Sequence, residues 1–334
     1  MGWSWHKKEK PLPGLIGFGG GATSLIAGGS QPVIEASGGT TSEPGDGYKY
    51  HHWNSNGSLV VTEAGPADAA IEYCIVAGGG GGGNAYAGGG GAGGVREGSY
   101  TSVTATTYPV TVGGGGQGVE GQYGKGDNGQ ASEMFSTPAT GGGGGGGGYP
   151  QGAVGDGGSG GGSSFYKPSP VGQGNAGGYS PPEGNPGGSQ VGGYPNGAGG
   201  GGGGAGGAGE NGTSSPNYFG GEGGIGIAVF EGAAGTPPLF GTPGPQPGRW
   251  IGGGGGGAGK HNVPPYGGGL GGAGGGANGA PPEGSSCGPP NNYGCGAPGN
   301  KGGGGGAGSG SGQGANNARG GDGGKGVVIV RYQI

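Results

Sequence analysis

Apolar and polar positions alternate in only a few short runs of this chain. The clearest is 71–77, where Ile71, Tyr73 and Ile75 point to one side and Glu72, Cys74 and Val76 to the other, the period-2 pattern of a strand. Similar runs rich in β-branched and aromatic residues fall at 48–53, 58–63, 108–112, 131–135, 225–231 and 327–332, and such residues favour a pleated surface. Together they predict a small β-sandwich. No stretch carries an apolar stripe of helical period, and glycine costs about 0.8–1.0 kcal/mol relative to alanine at each helical position. The expected fold class is therefore all-β, with almost no α-helix.

Between these runs the chain is mostly glycine: 116 of its 334 residues, against a usual share of about 7%. With 28% hydrophobic and 9% charged residues, an ordinary globular enzyme core is not expected. Blocks such as 78–83, 141–148 and 252–257 lack the strict Gly-X-Y period of collagen. A Cβ-free chain has one ordered option that suits it, an extended threefold helix of the polyproline II kind, rising about 3.1 Å per residue without internal hydrogen bonds. Such helices pack closely side by side and bond to one another, whereas the competing reading is a flexible linker. Turn clusters at Tyr149-Pro150, Pro181-Pro182, Tyr194-Pro195-Asn196 and Pro264-Pro265-Tyr266 read as reversals between packed segments.

Run 71–77 passes straight into glycine, and run 327–332 is entered from glycine through 320–326. As antiparallel neighbours, these two strands would let the glycine block leave the sheet and return to it at one end. The expected organisation is an N-terminal docking arm over 1–44 and a sandwich over 45–140. A region of polyglycine helices with turn loops follows over 141–320, and a returning strand over 321–334.

A formal net charge of −5 speaks against a nucleic-acid partner, which needs a basic face. No stretch approaches the roughly 18 apolar residues of a membrane span, and 12–26, interrupted by Pro13 and several glycines, makes a poor secretory leader. The motif G-x-G-x-x-G is uninformative at this glycine content. Residues 254–260 imitate a phosphate-binding loop, but His261 stands where Ser or Thr is required. His51 and His52 are adjacent on a strand, face opposite sides, and are expected on the strand surface rather than at a metal. No nucleophile sits beside a histidine and no acid–base pair is recognisable, so no catalytic residue, metal or cofactor is expected. Cys287 and Cys295 bracket a turn-rich loop that either a disulfide or free thiols would fit, and Cys74 lies in an apolar run.

Beyond Gly141 the aromatic residues collect in the turns, as Tyr149, Phe165, Tyr166, Tyr179, Tyr194, Tyr218, Phe219, Tyr266 and Tyr293. Gathered at an exposed end they would form a surface of Tyr, Asn, Ser and Gly, the composition of antibody loops. The alternative is that they cap the bundle against water.

The run 71–77 followed by six glycines, GGGGAGGVR over 88–96, Tyr108-Pro109-Val110-Thr111-Val112 before 113–116, Ala139-Thr140 before 141–148, and the ending GGDGGKGVVIVRYQI over 320–334 together resemble glycine-rich tail-fibre and appendage proteins of bacteriophages. Some tail-tip adhesins of this kind use bundled polyglycine helices to present loops to the host. The resemblance implies a virion protein made in the host cytoplasm, trimeric, and contacting other tail proteins and a host surface glycan or protein. The nine turn aromatics would be its receptor-binding residues. Trp3, Trp5, Leu15, Ile16 and Phe18, in the arm outside the matching pieces, would dock on the virion, since large aromatics are frequent interface anchors. A connector without receptor binding is the alternative expectation. An ice-binding protein is a third, disfavoured by the irregular turns.

Overall fold

A computed structural model describes residues 33–120, 123–148, 153–164, 170–193, 196–214, 216–232, 240–259, 267–280, 293–308 and 319–334. Its scaffold is a β-sandwich. One sheet has the antiparallel order β1 (Ile34–Ser37), β4 (Gly57–Ala64), β7 (Thr107–Val110). The other is five-stranded and antiparallel, in the order β2 (Thr40–Ser42), β3 (Tyr48–Trp53), β15 (Val327–Gln333), β5 (Ile71–Val76), β6 (Val95–Tyr100). The hairpin of β8 (Ser132–Met134) and β9 (Thr137–Ala139) joins the edge of the first sheet through a bridge between Thr111 and Glu133.

Alternation assigns the two faces of the larger sheet. Ile71, Ile75, Val328 and Val330 face the sandwich interior with Leu59, Val61 and Met134, while Cys74, Val76, Val327 and Ile329 enter a second core. That second core is closed by Val229, Phe230, Phe240 and Ile251. Val229 and Phe230 come from the 3-10 helix Val229–Gly232, Ile251 from a small sheet of β12 (Ile227–Ala228), β14 (Arg249–Ile251) and β13 (Thr242–Pro243), and Phe240 from the bend just before β13. Burial on both sides explains why β15 reads as a continuous apolar run.

The same double cover corrects the expectation for the two histidines. His51 and His52 do face opposite sides, but both are buried because each side carries a core. His51 donates from Nδ1 to the Gly38 carbonyl at 2.7 Å, which leaves Nε2 to accept from the Tyr332 hydroxyl at 3.1 Å. His52 meets the Phe240 ring edge-on at 5.0 Å.

Strand β15 pairs with β5 as expected, Val327 opposite Val76 and Ile329 opposite Cys74. Arg331 fixes this pairing at its outer end: its guanidinium bonds Glu72 at 2.7 Å and lies 4.4 and 4.3 Å over the rings of Tyr48 and Phe230. Run 225–231 departs from its expected form. Only Ile227 and Ala228 are strand, Phe230 takes φ +49°, and Ile225 with Gly226 belongs to a glycine helix.

The glycine segments form a lattice of extended helices whose period is visible in the hydrogen bonds. Along 78–83, the N–H groups of Gly78 and Gly81 go to Gln130 and Asp127, those of Gly79 and Gly82 to Gly324 and Gly321, and those of Gly80 and Gly83 to Gly91 and Gly88. The carbonyls repeat the rule. Gly78 and Gly81 accept from Gly142 and Gly145, Gly79 and Gly82 from Gly116 and Val119, and Gly80 and Gly83 from Gly305 and Gly308. This helix is thus surrounded by six others, three taking its donors and three its acceptors, the hexagonal packing that a threefold screw dictates. A Cβ on Gly79, Gly80 or Gly81 would overlap the carbonyl oxygen of Gly303, Gly143 or Gln117.

Outer helices relax this restriction at every third residue. Along 219–225, Glu222 and Ile225 are exposed between buried glycines, and along 319–325 the residues with side chains are Arg319, Asp322 and Lys325. Helices of the bundle occur on both sides of Gly141, since 78–84, 88–94, 113–119 and 124–130 already belong to it. Scaffold and bundle therefore interleave along the chain.

Candidate functional site at the far end of the glycine bundle

Helix 78–84 leaves the sandwich at Ala77 and helix 88–94 returns to it at Val95, so the reversal between them lies at the end farther from the sheets. Other segments finish beside it. Gly148 N donates to Asn84 O, Asn84 N to Gly124 O, Gly308 N to Gly83 O, Ala258 N to Ala87 O and Gly199 N to Ala258 O, at 2.9–3.1 Å. Ser164 Oγ donates to Tyr86 O at 3.1 Å. Ala87, Ala258 and Ala307 form a small buried cluster beneath this end, where side chains of one carbon fit.

The described segments that finish at Gly148, Ser164, Gly259, Ala280 and Gly308 therefore end on this side of the bundle. Tyr149, Phe165, Tyr166, Tyr194 and Tyr266 themselves lie outside the described residues, as do Cys287 and the arm residues Trp3, Trp5, Leu15, Ile16 and Phe18. Tyr218, Phe219 and Tyr293 are described, and each is half-buried.

Phe219 sits on a closed loop. Its N–H donates to Thr213 Oγ1 at 2.7 Å, and its carbonyl accepts from Thr213 N at 2.9 Å. Its ring lies where a Cβ on Gly267 would stand. Tyr218 beside it takes φ +47°, an uncommon conformation for a bulky residue.

Tyr179 is not brought to this group. It lies at the scaffold end, with the Arg96 guanidinium 3.9 Å over its ring, on a loop tied by Asn175, whose side chain bonds both the N–H and the carbonyl of Tyr179. Cys295 is disulfide-bonded and Cys74 is a free, buried thiol.

Two further aromatics belong to the far end. Ala85 and Tyr86 take φ +61° and +60°, a two-residue reversal of the I′ kind in which Asn and Gly are the usual occupants. Tyr123 is 41% exposed and rests against Gly148. Both carry the signal used for the later turns, a ring between glycine runs. On the rim, Arg319 pairs with Glu120 at 3.3 Å and Asp322 at 3.4 Å; all three are exposed, so the contribution to stability is small.

Aromatic rings, amides and hydroxyls on turns, held by a backbone lattice that cannot shift without breaking its bonds, suit recognition of a surface. Among the described residues no group of three or more His, Cys, Asp or Glu converges as a metal would need, and no helix is long and apolar enough to cross a membrane.

The sequence profile of the glycine-rich domain family matches residues 54–333, and the chain belongs to that family. No curated protein matches it.

Proposed function

We propose that this glycine-rich domain protein is a bacteriophage virion component, a tail fibre or similar appendage, that takes part in recognising the host cell surface through the turns at the far end of its bundle. The observation that carries the reading is the gathering of chain reversals, with Tyr86, Tyr123, Tyr218, Phe219 and Tyr293, at the end away from the sandwich. The lattice supports such a division of labour. Its interior admits only glycine at positions such as Gly79 and Gly80, whereas a turn outside it changes sequence without disturbing those bonds. Of the arm expected over 1–44, β1 and β2 belong to the sandwich sheets; residues 1–32 are then the segment by which the protein docks on other tail proteins, and three copies assemble as the working unit.

Purified, fluorescently labelled protein should bind cells of a susceptible bacterial strain and slow adsorption of the phage that carries it. Light scattering should return three times the chain mass, and deleting residues 1–32 should abolish incorporation into particles while leaving the remainder folded. A protein that is required in the particle yet binds no cell and leaves adsorption untouched is a connector, and contradicts the reading.

A further inference from the structure

A groove of about 480 Å³ opens on the scaffold between β7, the β8–β9 hairpin and the end of β6, lined by Tyr100, Pro109, Thr111, Glu133, Phe135 and Ser136 above buried Tyr108 and Met134. Its volume is in the range of small-molecule sites, about 300–1,000 Å³. We infer that it binds a neutral hexopyranose unit of a glycan. This does not rest on the function proposed for the far turns, which lie at the other end of the bundle.

The aromatic wall is built and fixed. Phe135 lies parallel to Tyr100 at 4.3 Å with 3° between planes, and Tyr108 meets their edges at 5.1 and 5.5 Å. The Tyr108 hydroxyl is itself held, accepting from Thr104 N at 2.9 Å. Phe135 and Ser136 occupy the turn positions of the hairpin at φ +52° and +56°, where Asn-Gly is the favoured pair. A bulky ring in that conformation is an outlier, and it delivers the Phe135 ring to the groove.

The polar side follows from the pairing of β7 with the hairpin. Thr111 and Glu133 exchange both backbone N–H···O bonds at 2.9 Å, so their side chains leave the same face as neighbours. Both are exposed, as is Ser136, and none of the three side chains has a protein partner among the described residues. Two hydroxyls and a carboxylate offer donors as well as acceptors. A cation would use acceptors only; a ring of hydroxyl groups with an apolar C–H face uses both the polar side and the aromatic wall.

The test is saturation-transfer NMR on the full chain with maltotriose, cellotriose, mannotriose and lactose, and with choline chloride as the cation probe. At least one sugar should give a saturable signal that Thr111→Val combined with Glu133→Ala weakens about tenfold or more, as loss of a charge-assisted hydrogen bond implies. Both positions are exposed, and an unchanged near-ultraviolet circular dichroism spectrum checks that the fold survives. Tyr86→Ser with Tyr123→Ser should leave sugar binding unaltered, which separates this groove from the far turns. The inference is overturned by no signal from any of the sugars, by sugar binding that survives the groove variant, or by choline binding alone.

Discussion

Val327, the first residue of β15, stands opposite Val76, the last of β5. The chain therefore leaves the sandwich through Ala77 and comes back through Gly326 on one rung of the sheet. Gly326 N–H donates to Gly113, and Ala77 N–H donates to Gly94, so strand bonding passes into lattice bonding without a break. The sheet thus sets the position from which the bundle grows. Ordering so much glycine costs about 1–2 kcal/mol per residue, and each lattice bond returns roughly 0.5–1.5 kcal/mol net, so the lattice depends on this anchorage.

Alanine substitutions should divide sharply by position. Gly80→Ala puts a methyl into the Gly143 carbonyl oxygen, whereas Gly299 has open space around its Cβ position. The first should lose about 3 kcal/mol, as overpacking against an immobile neighbour does. The second should be neutral or gain about 0.4–1 kcal/mol by restricting the unfolded chain. Urea unfolding followed by the fluorescence of buried Trp53 and Trp250 measures both.

Acid should weaken the scaffold before the carboxylates titrate. Burial lowers the pKa of His51 and of His52 below the usual 6.5, in His51 against the opposing effect of the Gly38 carbonyl and with Lys49 and Glu43 nearby. The unfolded chain then binds more protons than the folded one below that value, so stability falls with falling pH. The melting temperature should be level above about pH 6.5 and decline from there toward pH 5. A level profile across that window contradicts the burial of the pair.

Arg331→Ala removes a guanidinium that pairs with Glu72 and covers two rings. Its side chain is 11% exposed and that of Glu72 33%, so the loss is discounted from the full cost of breaking a buried pair. About 2 kcal/mol is expected, and Arg331→Met, which keeps an unbranched apolar side chain at this half-covered position, should recover part of it in the same unfolding assay.

The central strands of the larger sheet, β5 and β15, were legible locally. Alternation at Ile71, Tyr73 and Ile75 gave β5 its face, and the glycine flanks of β5 and β15 gave their pairing. What failed was the second core: Phe240 and Ile251 come from far along the chain, and nothing near His51-His52 announces that another layer covers them. Strand β6, broken by Gly98 and charged at Arg96 and Glu97, has little apolar pattern because it is an edge. The threefold lattice left a readable trace in Arg319, Asp322 and Lys325, spaced by pairs of glycines. That spacing marks an outer helix, as period 2 marks a half-buried strand. Tyr86 and Tyr123 show the same ring-between-glycines pattern ahead of Gly141, where the sequence otherwise reads as sandwich.

The measurement that bears most directly on the far turns is cell binding by two labelled proteins, the parent and a variant with Tyr86, Tyr123, Tyr218 and Tyr293 changed to Ser. Their melting temperatures and oligomeric mass are recorded alongside. The expected result is binding to host cells by the parent, loss of most of that binding in the variant, and little change in stability. Undiminished binding by a folded variant, or no binding by a correctly assembled parent, would contradict the assignment of recognition to this end of the bundle.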